Sequence, residues 1–287
     1  MRQFEIDIDD KPFIDGREGR HFRAVFTTRM AYTDKLAFLD LAIYNLSRDT
    51  DVRQGSKVLL RAGYDDDIDV IFQGTITTVL KERQGPDIIT RLLCRSGAND
   101  VRKSVRDAVG KNGTVLECIK KCAQVLGPGG TPLPVRIDES QFADCPVLVR
   151  GYVLEGNAVD ALDKLASQFD FGYVIAGDAL HVDRRNKAIK GTAQEVSLFT
   201  GMIGVPEAEG DVGLVFVNVT TKLKPRIGIG SNIDLKSEYA TYSTGNYYIV
   251  PPENGGKLSG RYKVIEISHQ GDSWGNRWQT AMRVQKT

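Results

Sequence analysis

Strict alternation of apolar and polar residues dominates both ends of the chain, whereas helical spacing is confined to its middle. Near the start, Phe4, Ile6 and Ile8 alternate with polar neighbours, and Phe22, Ala24 and Phe26 follow in the same way. This period of two predicts half-buried strands. The stretch from Leu39 to Leu46 is apolar enough for a strand covered on both faces. The rhythm then changes. From Thr114 to Leu126 the residues Val115, Leu116, Ile119, Cys122, Ala123 and Leu126 share one helical stripe, with Asn112 or Thr114 as N-cap and Gly127 as stop. A second helix is predicted over Ala158 to Phe169 behind an Asn157 cap, and a hairpin over Tyr173 to Val182 turning at Gly177-Asp178. Strands return from Leu214 to Val219, so an α+β module stands between two β-rich ends.

The two ends also spell one phrase twice. Gly55-Ser56-Lys57-Val58-Leu59-Leu60-Arg61 has its counterpart in Gly230-Ser231-Asn232-Ile233-Asp234-Leu235-Lys236. The second strand of each phrase is Val70 to Ile76 in one copy and Tyr262 to Ser268 in the other. Gln84-Gly85-Pro86-Asp87 is matched with Gln270-Gly271-Asp272, after which Ile88, Thr90, Leu92 and Cys94 align with Trp278, Thr280, Met282 and Val284 on one face. A unit written twice predicts two similar β-domains, and three such chains in a ring would present six near-equivalent units.

Composition narrows the function classes. With 287 residues the chain can bury two or three cores, and 38 Lys+Arg against 37 Asp+Glu leave a net charge of +1, too little for a global DNA-gripping field. No apolar run is long enough for a bilayer span, so no stable membrane association is expected. Of the four cysteines, Cys118 and Cys122 stand four apart on a predicted helix, but without a matching His or Cys pair they read as small buried hydrophobes, like Cys94 and Cys145. Asp65-Asp66-Asp67 lacks the alternate carboxylates and turn glycine of a calcium loop.

Enzyme constellations are missing from the sequence. His21, His181 and His269 lie on or beside strands with no nucleophile motif, Glu155 and Asp160 are carboxylates without a defined geometry, and the glycines from Gly228 to Gly230 precede a strand rather than a helix. The basic residues Arg184, Arg185, Lys187 and Lys190 have no interleaved aromatics and read as a solvated face. Trp278 belongs to the core face of the last strand, which leaves Trp274 as the tryptophan able to meet a partner. No catalytic, cofactor or metal residue is assigned, and no cofactor is expected.

The run from Gly55 to Ser96, with Ala62-Gly63-Tyr64, Ile71 to Ile76, Arg83, Gly85, Asp87, Thr90 and Cys94, resembles the first tube-like domain of bacteriophage tail baseplate hub proteins. Gly260-Arg261-Tyr262-Lys263-Val264, His269 to Asp272 and Trp278-Gln279-Thr280 resemble the closing hairpin of that family, and Thr200 to Pro206 the segment leading into it. The group includes late control D-like proteins and the hub part of type VI secretion spikes. The resemblance implies an α+β, mainly β fold. Two similar tube-like β-barrel domains, 1–98 and 200–287, would flank a small α+β insertion, 99–199, either as separate barrels or with strands contributed to each other.

It also implies a structural role in the virion, assembled in the host cytoplasm. The expected form is a homotrimer joining a six-fold tail tube or distal tail protein to a three-fold tail spike protein. Its channel would pass tape measure protein and then DNA, the latter only in transit. Alternatives are a cell-wall polysaccharide-active or binding module and the hub of a bacterial contractile secretion apparatus.

Overall fold

The computed structural model describes residues 1–16, 22–47, 50–65, 67–97, 102–127, 131–184, 187, 190–211, 214–242 and 258–286. The fold is mainly β with two helices. After β1 (Arg2–Ile8) and β2 (Lys11–Asp15), the first end forms a five-strand unit: β3 (Ala24–Ala31), β4 (Phe38–Tyr44), β5 (Lys57–Tyr64), β6 (Asp67–Gln84) and β7 (Asp87–Arg95). Its spatial order is β3-β4-β7-β6-β5, with β1 and β2 continuing beyond β5.

Between the ends lie β8 (Ser104–Val109), α1 (Val115–Leu126), β9 (Val135–Arg136), β10 (Tyr152–Asn157), α2 (Ala158–Phe169), β11 (Phe171–Ala176) and β12 (Ala179–Arg184). Thr114 caps α1 by accepting from the Glu117 N–H, and Asn157 caps α2 by accepting from Val159 and Asp160. The predicted helix limits therefore hold at both starts. Both helices bury one stripe, and Cys118 and Cys122 lie within it. The hairpin β11–β12 turns at Gly177, whose φ of 61° suits a residue without Cβ. Every residue of β11 is buried. Its Phe171, Tyr173 and Ile175 enter the helical core, Val174 the core of the second end and Ala176 that of the first, so this strand wedges three cores together.

The second end contains β13 (Ala193–Ser197), β14 (Glu207–Asp211), β15 (Leu214–Lys222), β16 (Asn232–Ser237), β17 (Thr241–Tyr242), β18 (Leu258–Asp272) and β19 (Trp278–Lys286). Its central order, β14-β15-β19-β18-β16, repeats that of the first unit strand for strand, all pairs antiparallel. The repetition extends to hydrogen bonds. Gly55 N–H donates to Ile76 O at 2.8 Å and Ile76 N–H to Ser56 O at 2.9 Å, while Gly230 N–H donates to Val264 O and Val264 N–H to Ser231 O, both at 2.9 Å. Both glycines have positive φ, and each copy carries a bulge just after that point, between Ile76 and Thr78 and between Val264 and Glu266.

This geometry corrects part of the predicted alignment. Cys94 pairs with Ile76 and Val284 with Val264, so the third strands correspond as expected, but Ile76 matches Val264 rather than Ser268. The shared Gln-Gly is also not equivalent: Gly85 lies in a tight turn between Gln84 and Asp87, whereas Gly271 sits within β18 opposite Trp278. A Cβ at Gly271 would come within 2.8 Å of both the Phe26 and the Trp278 rings, so glycine there answers to ring packing and not to a turn.

Both units lie in one fourteen-stranded sheet, and no closed barrel forms among the described residues, so the expected pair of tube-like barrels is not seen. The long strands explain why. The first halves of β6 and β18 pair with β5 and β16, and past the bulge they pair with β7 and β19. Each long strand thus leaves one layer and enters another, closing a core between layers without closing the sheet. No helix among the described residues is long and apolar enough to cross a membrane.

Candidate assembly interface

The two units meet at one seam. β3 pairs with the second half of β18, from Glu266 opposite Ala31 to Asp272 opposite Val25. Buried beneath it, His269 N–H donates to Thr28 Oγ1 at 3.0 Å, and its ring Nδ1 lies 2.9 Å from Thr280 Oγ1. Burial holds the His269 imidazole down at about 4, hence neutral. At the end of the seam the Arg23 guanidinium grips both Asp272 carboxylate oxygens, at 3.2 and 2.8 Å, and this hydrogen bond holds Asp272 below the usual carboxylate range.

The equivalent edge of the first unit is unpaired among the described residues. Past Thr75, β6 pairs with β7 but carries no strand on its other side among the described residues. Val79 and Lys81 correspond to Ile267 and His269; the latter two are buried under β3, whereas Lys81 is exposed and Val79 half-exposed. The matching edge of the second unit is β14, the counterpart of β3, and among the described residues only the two-residue β17 lies against it, at Glu207 and Ala208. One chain thus contains one such joint, while the counterparts of its two edges, on β6 and β14, are not paired with each other among the described residues.

The molecule has two distinct ends. At one, the β6–β7 turn, Phe22, Asn45 and the β18–β19 loop come together: Asn45 donates to Asp87 at 2.8 Å, and Trp274, 67% exposed, borders the same hollow. At the other, the β3–β4 turn is stitched to the middle module by Ala37 N–H to Ile175 O at 2.9 Å and Tyr173 N–H to Tyr32 O at 3.1 Å. A further tie joins that module to the second unit. Buried Lys263 meets buried Asp183 at 2.7 Å and donates to the carbonyls of Lys187 and Arg184, while Asp183 also accepts from Gln141. Burial nevertheless pushes the Asp183 carboxyl up, against the pull of the Lys263 ammonium.

On the sheet face opposite the core, basic side chains are held by carboxylates. Arg91 Nε donates to Asp40 at 2.7 Å, Arg29 lies 3.1 Å from Glu266 and 3.3 Å from Asp34, and Arg283 lies 3.3 Å from Glu209 while stacking on Phe216 at 4.5 Å. Arg95 and Lys222 on this face belong to no ion pair among the described residues, and Glu82 and Glu207 match them in number. Elsewhere an apolar loop stands clear of the sheet, with Phe199 96% and Leu198 68% exposed.

Other sequence candidates are placed plainly. Trp278 is buried, edge-on to Phe26 at 5.3 Å, with its indole N–H donating to Gly63 O at 3.1 Å. His181 is largely buried with its imidazole held down to about 4 by burial, and His21 lies outside the described residues. Burial pushes the Cys94 and Cys122 thiols up to about 12 and that of Cys118 up to about 11, which suppresses the thiolate form. No group of three or more His, Cys, Asp or Glu among the described residues could hold a metal. Arg184 and Lys187 of the basic cluster both pair with Asp144, and Arg185 and Asp66 lie outside the described residues. Glu155 and Asp160 are exposed.

The fold is similar to that of solved tail proteins. The 43 kDa tail protein of prophage MuSo2 from Shewanella oneidensis superposes with a TM-score of 0.64 at 10% identity, covering 100% of this chain and 98% of that one. A tail protein from Neisseria meningitidis MC58 gives 0.61 at 11% identity, covering 99% and 96%. The E. coli c3393 protein is a component of the type VI secretion system with structural similarity to the T4 bacteriophage tail proteins gp27 and gp5. It gives 0.60 at 8% identity, covering 98% of this chain and 76% of that one. A comparison with curated proteins finds no match. The family model for baseplate hub gp41 matches residues 40–252, and the chain belongs to that family.

Proposed function

We propose that the protein is the structural hub of a phage tail baseplate, a homotrimer that adapts a six-fold tail tube, or a distal tail protein, to a three-fold tail spike protein. The observation that carries this reading is the β3–β18 joint beside its two counterpart edges on β6 and β14. If β14 of one copy takes the place on β6 that β3 takes on β18, replacing β17, three copies close into a ring of six equivalent units. The hairpin tips at the Trp274 end then repeat six times, and the middle modules at the other end three times. Such a ring is tube-like although each chain alone is open.

Eight strands per copy make about 24, and at ~4.8 Å spacing the wall is at least about 115 Å around and about 37 Å across. Side chains reaching ~5 Å inward leave a bore of about 27 Å, wide enough for tape measure protein and then for DNA in transit. On this reading the protein resides in the virion, is assembled in the host cytoplasm, has no stable membrane association and has no hydrolytic activity. The likeness to the c3393 protein supports a second reading, the hub of a contractile secretion apparatus, which differs in the particle that carries it.

The carried-over register sets Glu82 of one copy opposite Glu207 of the next. Cysteines at these two positions should form a disulfide between copies on oxidation and yield a covalent trimer. Cryo-electron microscopy of intact particles should show three copies around the axis at the tail tip; six copies, or a place on peripheral fibres, would refute the reading. Zymography on peptidoglycan should show no clearing, and clearing lost on mutation of a single carboxylate would make the protein an enzyme.

A further inference from the structure

The ring reading, on which this inference rests, decides which sheet face lines the channel. Against the core face lie the second layer, including β1 and β5, and the middle module. Placed inward, a layer at ~10 Å from the wall, with its own side chains, would shrink the bore to about 7 Å. The opposite face, carrying Arg29, Arg91 and Arg283, therefore faces the axis.

This wall carries four arginines per copy; Arg95, like Lys222, has no ion pair among the described residues and is offset in number by Glu82 and Glu207, whereas Arg29, Arg91 and Arg283 would hold phosphate unless engaged. A guanidinium presents its N–H fork to phosphate as readily as to carboxylate, and each phosphate contact releases a counterion. Here those three guanidinium groups are engaged. Arg91 meets Asp40 through two nitrogens, Arg29 meets Glu266 across strands of different units, and Arg283 is clamped between Glu209 and the Phe216 ring. These three arginines are 38 to 54% exposed, near enough to the lumen to touch passing DNA if released.

We propose that Asp40, Glu209 and Glu266 mask these three wall arginines from double-stranded DNA, so that a polyanion slides through a bore studded with guanidinium groups without being bound. The carboxylates act as specificity residues against a ligand. They pair with the guanidinium groups in place and repel phosphate at the same points.

The test is fluorescence anisotropy of a labelled DNA duplex with the purified protein at about 50 mM salt, where phosphate contacts are strongest. Wild type should show no saturable binding. The triple variant Asp40→Asn, Glu209→Gln, Glu266→Gln frees Arg91 and Arg283 while Asp34 still holds Arg29, so it should bind at least tenfold more tightly, with a log–log salt slope near −1.8 for about two phosphate contacts. A control variant, Asp51→Asn, Asp144→Asn, Glu195→Gln, gains the same net charge and frees Arg53, Arg184 and Lys236 elsewhere; it should stay with wild type. Should the triple variant fail to fold, Asp40→Asn alone, whose amide oxygen still accepts from Arg91, should show a weaker gain with a slope near about −0.9. The mask is refuted if the wall variants bind no more tightly than wild type, or if the control gains as much. Neither result bears on the intersubunit disulfide, which tests the ring by itself.

Discussion

Replacing Lys263 with Met removes the cation from a site where the surrounding protein cannot compensate. Its ammonium is 1% exposed and serves the Asp183 carboxylate and two carbonyls, so the substitution strands a carboxylate that is itself 5% exposed. Gln141 supplies one remaining donor. Breaking a buried pair from one side costs about 3 to 5 kcal/mol, largely the desolvation of the orphaned charge. Over 287 residues the unfolding entropy is about 0.6 kcal/mol per degree, which converts that cost to a fall in Tm of about 5 to 8 °C.

Thermal and urea unfolding of Lys263→Met, Asp183→Asn and the double variant would measure it. The double variant should recover much of the loss, because replacing both partners removes the stranded charge. Burial already raises the Asp183 carboxyl, and removing Lys263 raises it further. A carboxyl raised in the folded state is fully destabilising above its folded pKa, and that penalty fades as pH falls towards the unfolded value, so the deficit of Lys263→Met should shrink as pH is lowered. A Tm within about 1 °C of wild type, or a double variant as unstable as the two losses added, would refute the reasoning.

Trp278→Ala should cost about 3 to 5 kcal/mol in urea unfolding, since it empties the site against Phe26 and leaves Gly63 O without its donor. His269 and His181 are held neutral by burial at about 4, against about 6.5 in the unfolded chain. The unfolded chain therefore takes up protons first, and stability should fall as pH drops from about 6.5 to about 4, then level off; His269→Gln, followed by the same pH series, should flatten that slope. Glu82→Lys should favour trimer formation in sedimentation experiments by replacing a like-charged pair with an opposite one across the proposed joint, and an unchanged association constant would refute the register.

Local signals were legible in the chain, and non-local ones were legible in proportion to what encodes them. Thr114, Asn157 and Gly177 set their caps and turn through groups a few residues away, so sequence alone places them. The third strands aligned because one uninterrupted alternation runs through each. The second strands did not, because a bulge adds a residue without changing composition, and alternation cannot be counted across it. The Gln-Gly match was chemical coincidence: one glycine turns the chain, and the other makes room for Phe26. Lys263 reads as an ordinary outward residue between Tyr262 and Val264, and nothing near it in sequence names Asp183, eighty positions earlier. That both ends share one sheet, and that one edge is unpaired among the described residues, depends on β3 reaching β18, a pairing with no local mark.

The seam between β3 and β18 also bears on the kinetics of assembly. On the proposed ring, six separate units would need five bimolecular encounters before the circle closes on itself, each dependent on concentration. Joining units in pairs through the chain makes three of those encounters intramolecular, at effective concentrations in the millimolar range for a short tether. On that proposal, few copies could complete a circle that six free units at the same abundance would rarely finish, and half-made arcs would always end at a unit boundary that another copy fits.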